Sequence, residues 1–159
     1  MKKIIIAIDS FKGCLTSAEA GKAAEKGIKS INSSCHTSVI PIADGGEGLL
    51  DVLITATKGK YITLSAHGPL MKMAKTHYGL SGNGRTAIIE MAAISGLPLV
   101  PIEQRNPMLT TTFGTGELIK DALNKGCRNF IIGIGGSATN DAGLGMLQAL
   151  GFRFLDKSG

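Results

Sequence analysis

Three segments of the sequence place acidic residues beside glycine and small polar residues directly after apolar runs. They are residues 9–13 (Asp-Ser-Phe-Lys-Gly), 44–48 (Asp-Gly-Gly-Glu-Gly) and 133–141 (Gly-Ile-Gly-Gly-Ser-Ala-Thr-Asn-Asp). Glycine turns that lead into a helix expose backbone N–H groups that bind phosphate. Carboxylates beside a phosphate are explained if Mg²⁺ lies between them. The spacing therefore predicts a Mg²⁺-phosphate site, where Lys12 would offset the charge of a transferred phosphoryl group.

Each of these residues, taken singly, also has a structural explanation. Asp44 would cap the helix that follows it, and Asp141 would stabilise the first turn of another helix. Lys12 would then be an ordinary exposed lysine. The phosphate hypothesis depends on the joint occurrence of the three segments, because a helix cap does not require adjacent glycines.

A dinucleotide site is the alternative hypothesis. Gly133, Gly135 and Ala138 match the pattern G-x-G-x-x-A, and Asp156 follows where a ribose-binding acid would lie. An NAD-dependent oxidoreductase would use this turn. Asp141 argues against it, because its negative charge would meet the pyrophosphate at the same helix start. The phosphate-binding P-loop pattern G-x-x-x-x-G-K-[ST] does not occur in the sequence.

The order of predicted elements indicates an α/β protein. An Ile-rich run at residues 3–8 is typical of a buried strand, and Thr16 with Glu19 has the spacing of a capping box. A helix to about residue 31, a strand at 36–43 and a helix at 49–58 complete a βαβα order, which predicts a parallel sheet.

The second half of the chain predicts a mixed sheet, because three apolar runs follow one another without a helix between them. Those runs lie at residues 61–66, 74–80 and 85–90. Further along the chain we expect three helices, at residues 91–97, directly after the Gly-Thr-Gly of residues 114–116, and at residues 140–150. We also expect strands at residues 130–134 and 152–155.

Composition excludes several classes of protein. A hydrophobic share of 43% with 18% charged residues excludes intrinsic disorder. The three cysteines are widely spaced, which argues against a disulfide framework or a zinc site. The net charge of +5 comes from scattered cations with few aromatic residues, so we expect no nucleic-acid partner. Apolar runs are too short for a membrane span or a signal peptide, which predicts a cytoplasmic protein without a membrane partner.

The motifs form a recognisable set when residues 105–107 (Arg-Asn-Pro) and 111–118 (Thr-Thr-Phe-Gly-Thr-Gly-Glu-Leu) are added to the three segments above. This combination resembles the bacterial glycerate kinase family that is neither P-loop nor MOFRL-type. The resemblance extends over the whole chain. It implies a kinase that uses ATP and Mg²⁺ to phosphorylate D-glycerate, with 2-phosphoglycerate as the usual product, and it leaves a homo-oligomer open.

The resemblance also implies an architecture of two α/β lobes with parallel and mixed sheets and flanking helices. We expect residues 1–67 to form part of a first, Rossmann-like lobe and residues 68–159 a second lobe. Family members are longer, so the chain is expected to be an amino-terminal fragment with an incomplete first lobe and little activity alone. Ala142 stands where the family usually has glycine.

We assign hypothetical roles to the matching positions. Lys12, Asp44 and Asp141 are the predicted catalytic residues, and Asp44 and Asp141 are also the predicted Mg²⁺ ligands. Asp9, Ser10 and Arg105 are predicted to bind substrate, because the planar guanidinium of Arg105 suits a carboxylate. The predicted phosphate- or nucleotide-binding residues are Gly45, Gly46, Gly135, Gly136, Ser137, Thr139 and Asn140. The sequence does not decide which acid is the base and which holds the metal.

Overall fold

A computed structural model describes residues 3–159 of the chain, so Met1 and Lys2 of the predicted first lobe lie outside the described residues. Its amino-terminal part alternates strands and helices. The elements are β1 (Lys3–Ile6), α1 (Ser17–Ile31), β2 (His36–Val39) and α2 (Leu49–Thr57). Strands β1 and β2 are parallel, with Lys3 opposite His36 and Ile6 opposite Val39. The predicted βαβα order is confirmed.

Local sequence explains where α1 begins. The Thr16 hydroxyl accepts a hydrogen bond from the backbone N–H of Glu19, and the Glu19 carboxylate accepts one from the N–H of Thr16. This reciprocal capping box satisfies two backbone donors at the helix start. Gly21 lies against the Val39 side chain on β2, where any larger residue would collide.

The second sheet contains four strands in the order β3-β4-β5-β6. Their bounds are β3 (Lys60–His67), β4 (Met73–Leu80), β5 (Thr86–Glu90) and β6 (Asn129–Gly133). The pairs β3–β4 and β4–β5 are antiparallel, whereas β5 and β6 are parallel. The predicted mixed sheet is therefore confirmed. The remaining helices are α3 (Ala92–Ser95), α4 (Phe113–Asn124) and α5 (Leu144–Ala149), with 3₁₀ turns at Leu97–Leu99 and Ile102–Gln104.

Helices cover both faces of this mixed sheet. On β5, Ala87 and Ile89 join a buried cluster with Leu118 of α4, and Ile88 packs on the opposite face against Leu50 of α2. Alternate residues of a strand point to opposite faces, so β5 is buried on both. The structure confirms the predicted α/β class with parallel and mixed sheets and flanking helices.

Three predicted elements are corrected. Residues 152–155 form no strand, and their apolar side chains Phe152, Phe154 and Leu155 are exposed. Helix α5 begins at Leu144 rather than near residue 140. Helix α4 begins at Phe113, so Gly114 and Gly116 lie inside its first turn and not before it.

The glycines of α4 have a packing role. A Cβ on Gly114 would collide with the backbone oxygen of His67, and one on Gly116 with that of Met146. Glycine therefore lets α4 lie close to β3 and α5. The division into lobes at residue 67 stays a prediction, and the β3–β4 ladder crosses that boundary. Among residues 3–159, no helix combines the length and apolar character that a bilayer span requires.

Candidate functional site

The loops at residues 44–48 and 133–136 cross each other at backbone distance. The N–H of Gly135 donates to the carbonyl oxygen of Gly45 at 3.1 Å. A Cβ on Gly135 would lie 2.7 Å from the Cα of Gly46, and one on Gly133 would lie 2.5 Å from the oxygen of Gly45. Glycine is thus required here for the loops to pass. The structure brings together Gly45, Gly46 and Gly135, and their phosphate-binding role stays a prediction.

The loop after β1 lines a cavity of about 360 Å³ between the starts of α1 and α2. Ser10 and Lys12 lie in its wall, as predicted partners of a ligand would. The same wall also contains the three carboxylates Glu19, Glu47 and Asp51. Lys12 therefore shares this cavity with three acids.

Ser17, the first residue of α1, fixes the position of this cavity. Its hydroxyl donates to the backbone oxygen of Ile8 at 2.6 Å and accepts from the N–H of Ile42 at 3.0 Å. Ile8 follows β1 and Ile42 follows β2, so one buried hydroxyl joins the ends of both strands. This contact positions the loop that carries Asp9, Ser10 and Lys12.

Asp9 and Asp44 each accept a hydrogen bond from a backbone N–H one or two residues further along the chain. The Oδ1 of Asp9 accepts from the N–H of Ser10 at 2.6 Å. The Oδ1 of Asp44 accepts from the N–H of Gly46 at 3.0 Å, and the Asp44 side chain is exposed. The second oxygen of Asp44 makes no hydrogen bond within the described residues, so it is available to a ligand.

A second cavity, of about 260 Å³, brings Arg105 together with Ser137 and Thr139. The Nε of Arg105 donates to the backbone oxygen of Val100 at 3.2 Å. The hydroxyls of Ser137 and Thr139 form a hydrogen bond with each other at 2.7 Å. The predicted substrate-binding arginine therefore shares one cavity with two residues that were predicted to bind the nucleotide. Gly136 and Asn140, from the same predicted set, are exposed.

Asp141 connects the starts of two helices. Its carboxylate accepts hydrogen bonds from the N–H and the hydroxyl of Thr112, each at 2.8 Å, just before α4. It also accepts from the N–H groups of Gly143 at 3.0 Å and Gly145 at 3.1 Å, at the start of α5. The Thr111 hydroxyl lies 3.4 Å from the same carboxylate.

These contacts lower the pKa of Asp141. Partial burial by itself raises this pKa, but the hydrogen bonds from Thr112, Gly145 and Gly143 outweigh burial and keep the carboxylate charged. The donors occupy about four lone-pair positions, which is the capacity of a carboxylate. The roles of Asp141 as base or Mg²⁺ ligand stay predictions, and the geometry favours a structural role.

Asp44 and Asp141, the predicted Mg²⁺ ligands, differ in the carboxylate oxygens that they leave free. Among residues 3–159, no three His, Cys, Asp or Glu side chains lie close enough together to hold a metal ion. Asp44 offers one free oxygen, whereas Asp141 offers none. The described residues therefore offer no metal site made of three such side chains.

Sequence reasoning missed the role of Glu90, at the end of β5. Helix α2 has Gly48 at its N-cap and no side-chain cap of its own, and the Oε1 of Glu90 accepts from the N–H of Leu50 at 2.7 Å. Burial raises the pKa of Glu90, and the charge of Asp51 adds to this, while the Leu50 hydrogen bond opposes it. An acid forty residues away thus caps α2, and the only sequence signal was its place at a strand end.

A second missed contact joins β3 to α4. The Glu117 carboxylate accepts from the backbone N–H of His67 at 2.7 Å and contacts the His67 Nδ1 at 2.9 Å. The His67 ring also packs edge-on against Phe113, with ring centroids 5.5 Å apart. No local pattern indicates this pair, because the partners are fifty residues apart.

The structure does not support the dinucleotide hypothesis. Gly133 ends β6, but the next helix begins only at Leu144, so the glycine turn does not open a helix. Asp156 does not end a strand, because residues 152–155 form none. The strand of the fingerprint is present, whereas the helix that should open at the glycine turn and the acid at the end of a following strand are missing.

Comparison with known proteins identifies a family other than the oxidoreductases of the dinucleotide hypothesis. The model of the family described as "Glycerate kinase family" matches residues 4–159. Glycerate kinases of Bacillus subtilis and Haemophilus influenzae are 55% and 56% identical, over 99% and 97% of this chain and 41% of each relative. A glycerate 2-kinase of Escherichia coli is 51% identical, over 99% of the chain and 41% of the relative.

The fold is also that of a solved structure. A crystal structure of a Salmonella typhimurium LT2 protein assigned as glycerate kinase 2 superposes with a TM-score of 0.85 at 49% identity, covering 99% of this chain and 42% of that one. The chain spans about two fifths of the length of the relatives that it matches. The similarity extends over nearly all of residues 3–159 and over every segment of the candidate site. The chain belongs to the glycerate kinase family.

Proposed function

We propose that the protein carrying this chain uses ATP and Mg²⁺ to phosphorylate D-glycerate, with 2-phosphoglycerate as the product. Family membership and the E. coli glycerate 2-kinase at 51% identity support the reaction and the position of transfer. The observation that carries the proposal is the course of residues 133–141. This segment crosses the 44–48 loop at Gly135 and then lines the Arg105 cavity with Ser137 and Thr139.

The chemistry requires a hydroxyl oxygen of glycerate to attack the γ-phosphorus of ATP, with ADP leaving and the hydroxyl proton passing to a base. Positioning and charge neutralisation dominate such a reaction. Asp44 suits the base or a Mg²⁺ ligand, because it is exposed and has a free oxygen. Lys12 suits the transferred phosphoryl group, and Arg105 suits the acid group of the substrate.

The remaining proposed roles are assigned from the position of each residue in the candidate site. Asp9 and Ser10 lie beside Lys12 on the loop after β1, where they would orient the substrate. Gly45, Gly46, Gly135 and Gly136, with Asn140, are proposed to approach the phosphates of ATP through their backbones. Mg²⁺, when bound with ATP, would neutralise phosphate charge, and Asp44 is the described residue that would contact it. Cytoplasmic location is part of the same proposal.

A coupled assay of ADP release tests the function in the whole protein that carries this chain. We expect release that depends on both D-glycerate and Mg²⁺, and ³¹P NMR should show 2-phosphoglycerate. Asp44→Asn should lower turnover by orders of magnitude with at most a small change in the melting temperature, because it affects one local hydrogen bond. Asp156→Asn, which removes an exposed carboxylate far along the chain, is the matched control and should leave turnover unchanged. Absence of D-glycerate-dependent ADP release would refute the proposed function.

A further inference from the structure

Two cavities of the described residues could receive a small acid, and their charges differ. The 360 Å³ cavity is lined by Lys12 but also by Glu19, Glu47 and Asp51. Among the described residues, Arg105 is the only charged residue that lines the 260 Å³ cavity. A free carboxylate is repelled by the first set of charges and attracted by the second.

Arg105 is oriented and yet free to bind. Its Nε donates to the Val100 oxygen, and Val100 is buried, so the base of the guanidinium is fixed. Its two Nη groups form no hydrogen bond or ion pair with residues 3–159. A guanidinium held at Nε presents its remaining N–H groups in the fork that a carboxylate accepts.

The hydroxyl pair supplies a second, neutral recognition element. The hydroxyls of Ser137 and Thr139 bond to each other, and Ser137 Oγ also accepts from the Thr139 N–H at 3.0 Å. The rest of the lining contains the apolar Leu97, Val100 and Pro107 and the neutral polar Asn106 and Thr110, so it offers no charge to pair with a second anionic group. A ligand with one carboxylate and a nearby hydroxyl matches Arg105 and the hydroxyl pair, whereas a second charge would find no cationic partner in the lining.

We propose that this cavity, formed by Arg105, Ser137 and Thr139, is the subsite for a small monocarboxylic hydroxy acid and not for the nucleotide. The inference rests on the proposed function and reassigns Ser137 and Thr139 from the nucleotide to the acid substrate. Arg105 binds the carboxylate, and the hydroxyl pair binds a hydroxyl of the ligand. The subsite selects against dicarboxylic acids of the same size.

Equilibrium binding tests the subsite independently of turnover. Calorimetric titration of the whole protein with D-glycerate should give a Kd that rises roughly ten- to hundredfold in Arg105→Met, because a charge-assisted hydrogen-bond pair is lost. ATP·Mg²⁺ should bind that variant as it binds the unmodified protein. Arg85→Met, at an exposed arginine of the hairpin turn outside both cavities, is the matched control and should change neither constant.

Thr139→Val tests the hydroxyl pair, because valine keeps the shape of threonine and removes the hydroxyl. We expect weaker D-glycerate binding and no change for propanoate, which has no hydroxyl to bind. Malonate, with two carboxylates, should bind the unmodified protein at least tenfold more weakly than D-glycerate. Circular dichroism melting of each variant shows whether the fold is retained.

The possible results separate the subsite from the reaction. If Arg105→Met weakens ATP·Mg²⁺ and leaves D-glycerate unchanged, the subsite proposal is overturned while the kinase activity stands. An equal effect of Thr139→Val on propanoate and D-glycerate also overturns it. If the protein binds D-glycerate through Arg105 but releases no ADP, the subsite stands and the proposed function fails.

Discussion

At the scale of single residues, Asp141 is the predicted site acid whose carboxylate oxygens are most fully occupied by hydrogen bonds from the protein. Asp141→Asn replaces a charged acceptor with an amide, whose NH₂ would face the N–H donors of Thr112, Gly143 or Gly145. We expect a loss of about 2 kcal/mol in the free energy of unfolding, typical of hydrogen bonds to a charged group. Chemical denaturation measures this loss of unfolding free energy. Asp44→Asn, with one local hydrogen bond, is the control and should lose less than about 1 kcal/mol.

The contribution of Asp141 to the free energy of unfolding decreases at low pH. The folded-state pKa of Asp141 lies below its usual value of 3.8, so its stabilisation is fully present above that pH. It is lost as the pH falls through the lowered folded pKa. The stability difference between the natural chain and Asp141→Asn should therefore be constant near neutral pH and shrink below pH 3.8. A full loss of turnover in a variant of unchanged stability would instead support the catalytic role.

Sequence identified candidate residues better than it identified their partners. Asp141 was selected for its place after a glycine turn, but its partner Thr112 lies 29 residues earlier and no local pattern joins them. The resemblance did flag Ala142 as a departure from glycine, and its φ of +51° lies in the left-handed region that glycine adopts more easily. Residue types and backbone requirements are local, whereas hydrogen-bond partners depend on tertiary packing.

At the scale of elements, the crossing of the 44–48 and 133–136 loops holds α2 against the end of β6. Gly135→Ala would place a Cβ 2.7 Å from Gly46 Cα, and the loops would have to separate. We expect a loss of about 1–3 kcal/mol in unfolding free energy, as for overpacked sites. Gly27→Ala is the matched control, because Gly27 lies in α1 with open space around its Cβ position.

The control substitution should act in the opposite direction. Alanine at position 27 should stabilise α1 by about 0.5–1 kcal/mol, since it forms helix more readily than glycine. Urea denaturation followed by circular dichroism gives both values. If Gly135→Ala is as stable as the natural chain, the crossing does not depend on glycine and those glycines are better explained by a ligand.

Element prediction succeeded where a signal was local and failed where it depended on neighbours. The capping box of Thr16 and Glu19 predicted the start of α1, and three apolar runs without an intervening helix predicted the meander of β3, β4 and β5. Residues 152–155 have an apolar run typical of a strand, but they pair with no described strand. The glycines of α4 were interpreted as a turn because their helical packing role depends on β3 and α5.

At the scale of the whole molecule, activity is expected to require more than residues 1–159. The family relatives have more than twice this length. We expect residues 1–159 alone to show little or no ADP release with D-glycerate, whereas the whole protein is active. The coupled assay at equal concentrations checks this, and robust turnover by residues 1–159 would contradict it.

The class of the molecule was predictable from sequence, but the distribution of its charge was not. The order of apolar runs predicted an α/β fold, since each run reports locally on a strand or helix. The net charge of +5 indicated a basic protein, yet the charged residues that line one cavity are three acids and one lysine, and the other cavity has one charged residue, an arginine. Average charge carries no information on which side chains meet, because that depends on the folded path of the chain.

The contact between Gly45, Gly46 and Gly135 also bears on how this protein can diverge. Two stretches almost ninety residues apart share one interface with no room for a side chain at Gly133 or Gly135. A larger residue at either of these positions is tolerable only when the 44–48 loop retreats, so the two stretches should be inherited as a matched pair. Chimeras that take one stretch from a distant homologue and keep the other should consequently express poorly, even where every helix and strand is compatible.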